Sequence, residues 1–127
     1  MGEQYHRPVN RPLKAEEATL LRWLIAHGTG EAVRYADQVD RVHVVSECTC
    51  GCPTIDLALD DQPRPTEGGS LIISDVVGTT SDGVGVGVIL HVRGEALSEL
   101  EVYAHGAKTP SSLPRPKELK AWEDAAV

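Results

Sequence analysis

From Arg41 onward the apolar residues of this chain recur at every second position, whereas before Arg41 they recur at helical spacing. That change of period constrains the fold more than any other feature. A half-apolar strand and a half-apolar helix must each bury one side, so the two halves call for a sheet with helices laid on it. At 127 residues the chain is long enough for one domain with a real core. The expected division of this α+β fold is a helical N-terminal segment over 1–40, an antiparallel sheet over 41–106, and an extended tail with a short helix over 107–127.

Within the first part, "AEEATLLRWLIAH" (Ala15 to His27) places Ala18, Leu21 and Ile25 on one stripe with Leu20 and Leu24 beside it. Glu16 and Glu17 complement the dipole of its first turn, and Gly28 can end it. Thr29 can then cap a second helix running to about Val39, with Ala32, Ala36 and Val39 inward. In the second part, "VHVVSECTC" and "TIDLALD" flank a Gly51-Cys52-Pro53 turn, and "LIISDVVG" and "VGVGVILHV" flank Ser81-Asp82-Gly83. With "LSELEVYAH" this makes a five-stranded antiparallel meander with the helices on one face. The prolines of "GAKTPSSLPRP" exclude helix and central strand. That tail is expected to run extended, followed by a short helix from Lys117 to Glu123.

Charge and composition narrow the function classes. With no Phe, two Trp and three Tyr, the core must come from Val, Leu, Ile and Ala. A net charge of −7 repels a phosphate backbone, so nucleic acid is not expected as a partner. The one basic cluster (His6, Arg7, Arg11, Lys14) is expected to be solvated or to fold onto acidic neighbours. No apolar run reaches membrane-spanning length and no secretion-signal pattern opens the chain, which points to the cytoplasm and to no membrane partner. An odd cysteine count agrees with a reducing compartment.

All three cysteines lie in "ECTCGCPT". Alternation puts Val42, Val44, Ser46, Cys48 and Cys50 on one face and His43 on the other. A four-residue loop over 50–53 would set Cys48 opposite Ile55, Ser46 opposite Leu57 and Val44 opposite Leu59. On that register the cysteines extend the apolar face and pack as small hydrophobes, the first expectation. The alternative is zinc, the one candidate cofactor, held by Cys48, Cys50 and Cys52 with the missing ligand from His6, His91, His105 or a second chain. A reactive thiol is disfavoured by Glu47 and Asp56, since nearby acids push a thiol pKa up, but adjacent C-x-C pairs can still oxidise if the turn is exposed.

On the second hairpin, a tight Asp82-Gly83 turn sets Val77 against Val88 and Ile73 against Val92. A five-residue loop over 93–97 then sets Leu90 opposite Leu100 and Val88 opposite Val102. The other face then carries Ser74, His91 and Glu99 in one row, with Gly87 opposite Tyr103 and Gly85 opposite His105. The row has the residue types of a hydrolase triad, but mid-strand it lacks an oxyanion hole, and no catalytic residue is assigned. His91, Glu99, Tyr103 and His105 are instead the candidate binding residues, beside the shallow surface that Gly85 and Gly87 leave. The same register points Asp75 into the core, and a bulge is expected to turn it outward.

"RPLKAEEATLLRWLI", "CTCGCPTIDL" and "LSELEVYAHG" with the downstream "LPRP" together resemble a family of small uncharacterised bacterial domains. The resemblance covers most of the chain and implies an α+β fold in the bacterial cytoplasm, with no catalytic residues to carry over. Lys14 stands where such sequences often have a Ser or Thr helix cap. The "LEVY" strand with its proline-rich tail is also loosely similar to immunity proteins that bind bacterial toxins. The function expected is a non-enzymatic protein-binding module whose acidic surface suits a basic partner. The alternatives are a zinc-binding domain and a small hydrolase, and two sheet edges leave a homodimer open.

Overall fold

The computed structural model describes residues 6–110 and 112–121. It is α+β: β1 (His6–Pro12), α1 (Ala15–Ala26), a 3-10 helix (Ala32–Asp40), β2 (Val42–Cys48), β3 (Ile55–Leu59), β4 (Leu71–Thr79), β5 (Gly85–Arg93), β6 (Ala96–Ala104), a 3-10 turn (Pro116–Glu118) and β7 (Leu119–Ala121). The strands form one antiparallel sheet of seven in the order β1-β2-β3-β6-β5-β4-β7, not a five-stranded meander. Both additional strands sit at the edges. β1 comes from the basic segment expected to be part of a helical region; its Pro8 and Pro12 suit an edge strand, where a missing donor disrupts no central ladder. β7 occupies part of the expected helix over 117–123, of which 122 and 123 lie outside the described residues. Its residues Leu119, Lys120 and Ala121 favour helix locally, and pairing with Gly78, Val77 and Val76 overrides that preference.

α1 forms as its stripe predicts: Leu20, Leu21, Leu24 and Ile25 are buried. Lys14 provides no side-chain cap, and its backbone N–H donates instead to Glu17 Oε1 at 2.8 Å. The second helix is 3-10 rather than α, and a period of three changes which residues turn inward: Tyr35 and Gln38 are buried with Ala32, while Ala36 is exposed. Both helices share one core with the sheet, where they meet Val44, Leu57, Val86, Val88, Leu90 and Leu100.

The basic N-terminal cluster folds onto acids. Arg11 holds Glu17 with two hydrogen bonds of 3.0 Å each and donates from Nε to Glu47 Oε2 at 2.8 Å, and Arg7 also bonds Glu47. β1, β2 and α1 are thereby tied together by charge. The other joint is the seam between β3 and β6, where only Ile55↔Leu100 and Asp56↔Glu99 pair. Side chains close its ends. Thr54 Oγ1 donates to Val102 O and accepts from Val102 N, while Arg64 donates to Leu57 O, Ser98 O and Asp56 Oδ1.

Two loop details set the registers. Five residues connect β4 to β5, and a Thr80 N–H to Val84 O bond narrows the turn itself to the three residues 81–83, with Gly83 at φ 84°. A type I turn followed by a left-handed glycine makes such a loop, one residue longer than a two-residue turn. Val88 therefore faces Val76, not Val77. The β2–β3 loop has five residues (49–53) rather than the expected four, closed by Cys48 N–H to Thr54 O, and the register shifts once more between Val44 and Ser46, so Val44 pairs with Leu57 and not Leu59, and Ser46 with Asp56 and not Leu57. Every β2 residue beyond that bulge changes face.

Candidate binding face and cysteine turn

The helices cover one face of the sheet; among the described residues the opposite face carries no helix. Across that open face run three cross-strand rows. Asp56, Glu99, His91 and Ile72 form the first, Glu101, Ile89 and Asp75 the second, Tyr103, Gly87 and Val77 the third. His91↔Glu99 and Gly87↔Tyr103 pair as the sequence predicts. The expected five-residue loop over 93–97 is instead a two-residue Gly94-Glu95 turn, both with positive φ, and a register shift after it restores the predicted pairing.

Ser74 is not in this row. The longer β4–β5 loop pairs it with Leu90 on the core side, where it is buried and its Oγ has no hydrogen-bond partner among the described residues. Serine and imidazole therefore sit on opposite faces, and the hydrolase row does not assemble. The same shift turns Asp75 to the open face, so the outward position comes mainly from the loop. A second register shift, between Ile72 and Ser74, lies further along β4.

His91 is held at both ring nitrogens: Nδ1 is 2.8 Å from Ser70 Oγ and Nε2 is 2.8 Å from Glu101 Oε1. Its hydrogen-bond partner is thus Glu101, diagonal to it, and not the facing Glu99. Glu99 has no hydrogen-bond partner among the described residues. Burial pushes its carboxyl pKa up; His91 and Arg64 pull it down, and Asp56 and Glu101 add to the rise. Donor atoms of His91, Glu99 and Glu101 lie within 4.8 Å of one another.

Tyr103 lies flat over Gly87, where a Cβ would come 2.2 Å from the ring's Cζ. Only glycine permits this contact. Burial, with Asp75 and Glu101, raises the Tyr103 pKa and keeps the phenol protonated as a donor. His105 is exposed with its ring 5.5 Å from that of Tyr103. At the start of β4, Ile72 on this face is exposed at 46%; its neighbour Leu71, which pairs with the core residue Val92 and so belongs to the other face, is exposed at 59%.

The cysteines are not core residues. The bulge in β2 turns Cys48 onto the open face beside Ser46 and opposite His6 of β1, and Cys50 is exposed at the hairpin tip. His43 consequently shares the face of Cys48, but it is engaged by Asp60 at 2.9 Å. Cys48 and Cys50 are joined in a disulfide; Cys52 is free, with its sulfur 3.0 Å from that of Cys50. Backbone N–H groups of Cys50 and Cys52 point at the sulfurs of Cys48 and Cys50, each at 3.4 Å. Beside the turn opens a cleft of about 360 Å³, lined in part by Arg11, Glu17, Glu47, Cys48, Cys52 and Leu113.

β1 was the missed contributor to both regions. Its sequence gives no period-two signal, since Val9 is the one apolar residue besides the prolines in His6–Pro12. Among the described residues no helix is long and apolar enough to cross a membrane. Comparison of the chain with protein-family models, with curated proteins and with solved structures finds no match.

Proposed function

We propose that this protein is a non-enzymatic binding module that grips a basic protein segment on its open sheet face. The observation that carries this reading is Glu99, a half-buried carboxylate without a hydrogen-bond partner among the described residues, set between Asp56 and Glu101. A desolvated acid held beside two others costs stability, and a lysine or arginine from outside offsets that cost. Asp75 extends the acidic patch, and Tyr103 with its protonated hydroxyl offers a rigid aromatic contact at its edge. The net charge of −7 favours encounter with a cationic partner.

A divalent cation is less well served by His91, Glu99 and Glu101. Both His91 nitrogens are already engaged, so coordination there would first have to break an existing hydrogen bond. The likeness to toxin-immunity proteins fits a module that neutralises a basic toxin by covering it, and the family resemblance to bacterial domains adds the cytoplasm as the place of action.

The test is a calorimetric titration with a defined arginine- and lysine-rich protein domain, comparing wild type with Glu99→Gln/Glu101→Gln and with a control variant altered at Glu31. Wild type and the Glu31 variant should bind alike, and the double variant should lose affinity. Equal affinity of all three would remove the open face from the account.

A further inference from the structure

We propose that the reduced cysteine turn is a zinc site in which Cys48, Cys50 and Cys52 supply three thiolates and His6 the fourth ligand. The site goes beyond the binding role of the acidic patch and stands without it. Three soft donors converge: the sulfurs of all three cysteines lie within 4.8 Å of one another. Three thiolates and one imidazole, at ~2.3 and ~2.0 Å from the metal, make one of the usual closed tetrahedral zinc sets.

His6 is not part of that cluster as it stands, and its exposed side chain must turn toward the sulfurs to complete the set. His6 faces Cys48 directly across the β1–β2 ladder, so both side chains project from the open face of the sheet. His6 Nδ1 lies 3.6 Å from Asp56 Oδ2, which leaves Nε2 as the ligating nitrogen. At that distance the contact is electrostatic and not a hydrogen bond, so it favours this ring orientation without fixing it. The N–H groups of Cys50 and Cys52 aimed at sulfur favour thiolates in the same way that they would favour any anion. The turn has no packing duty, because Cys50 is exposed and none of the three cysteines belongs to the core.

The disulfide between Cys48 and Cys50 and the metal site are alternative states of one set of sulfurs. A dithiol or phosphine reductant supplies two electrons, and two protons complete the two thiols as the S–S bond breaks. Zinc then displaces one proton from each of three thiols and becomes bonded to three sulfurs and the His6 nitrogen. Binding therefore weakens as pH falls.

The test uses the full chain, reduced with a phosphine under nitrogen, and the metals alone as probes. Zinc titration should saturate at one ion per chain and protect all three thiols from a disulfide reagent until a chelator is added. Cobalt in its place should give thiolate charge-transfer bands and intense tetrahedral d–d bands, which shift in His6→Ala and vanish in Cys50→Ser. Far-ultraviolet circular dichroism shows whether each variant folds; if one does not, the wild-type cobalt spectrum and thiol protection decide the matter. The proposal is overturned by any of three results: thiols equally reactive with and without zinc, one zinc per two chains, or a cobalt spectrum that His6→Ala leaves unchanged.

Discussion

Replacing Arg11 with methionine keeps most of the side-chain stem and removes the charge, and its cost can be worked from the contacts. Arg11 donates two hydrogen bonds to Glu17 and one to Glu47. Hydrogen bonds to charged groups contribute about 1.5–3 kcal/mol each, which would sum to well over 4. Two features reduce that figure. Arg11 is about one-fifth exposed, so water can reach the gap, and Glu47 keeps its bond to Arg7. Glu17 is the group left stranded: at 5% exposure it would retain only the Lys14 N–H. Breaking a buried pair from one side costs about 3–5 kcal/mol, and partial exposure lowers the expectation here to about 2–4. Urea unfolding of Arg11→Met, Glu17→Gln and the double variant would measure it. Because a neutral Glu17→Gln no longer needs a cation, the double variant should lose less than the sum of the singles, by at least ~1 kcal/mol. A loss below ~0.5 kcal/mol for Arg11→Met, or strict additivity, would refute the claim that this pair ties β1 to α1.

Two further outcomes follow from the open face. The Glu99 pKa is raised in the folded state, so the contribution of this group is most favourable below the unfolded value of about 4.3 and is lost as pH rises through the folded value. Glu99→Gln should therefore melt higher than wild type at pH 7, and the gap should close on acidification below about pH 4; a lower melting temperature at neutral pH would contradict the assigned desolvation. Gly87→Ala puts a methyl group into the Tyr103 ring and should cost about 1–3 kcal/mol while shifting the tyrosine's near-ultraviolet dichroism, whereas unchanged stability and an unchanged spectrum would mean the ring does not rest there.

Much of this architecture is legible in the sequence where local signals agree with tertiary demands. The α1 stripe and the β5–β6 pairing are of that kind, since alternation over nine residues in each strand leaves one register that buries Val88, Leu90, Leu100 and Val102 together. The β4 register is not legible in the sequence, because Ser81-Asp82-Gly83 serves a two-residue or a three-residue loop equally well. Asp75 held the correction: an alignment that buried a carboxylate beside leucine and valine was one residue out. The face of Cys48 depends on a bulge at Val45, for which nothing in the local residue types gives notice. β1 and β7 exist because neighbouring strands offer unpaired edges, a long-range cause that proline-rich and helix-favouring segments conceal.

The acidic face is the claim on which the functional account rests, and amide chemical-shift mapping with an arginine- and lysine-rich peptide addresses it directly. The predicted result is a saturable set of shifts confined to β4, β5 and β6 around Asp75, His91, Glu99, Glu101 and Tyr103, lost in the Glu99→Gln/Glu101→Gln variant. Shifts scattered over every acidic patch, with Glu16, Glu31 and Asp61 moving as much as Glu99, would mean unspecific charge attraction and would contradict a dedicated binding face.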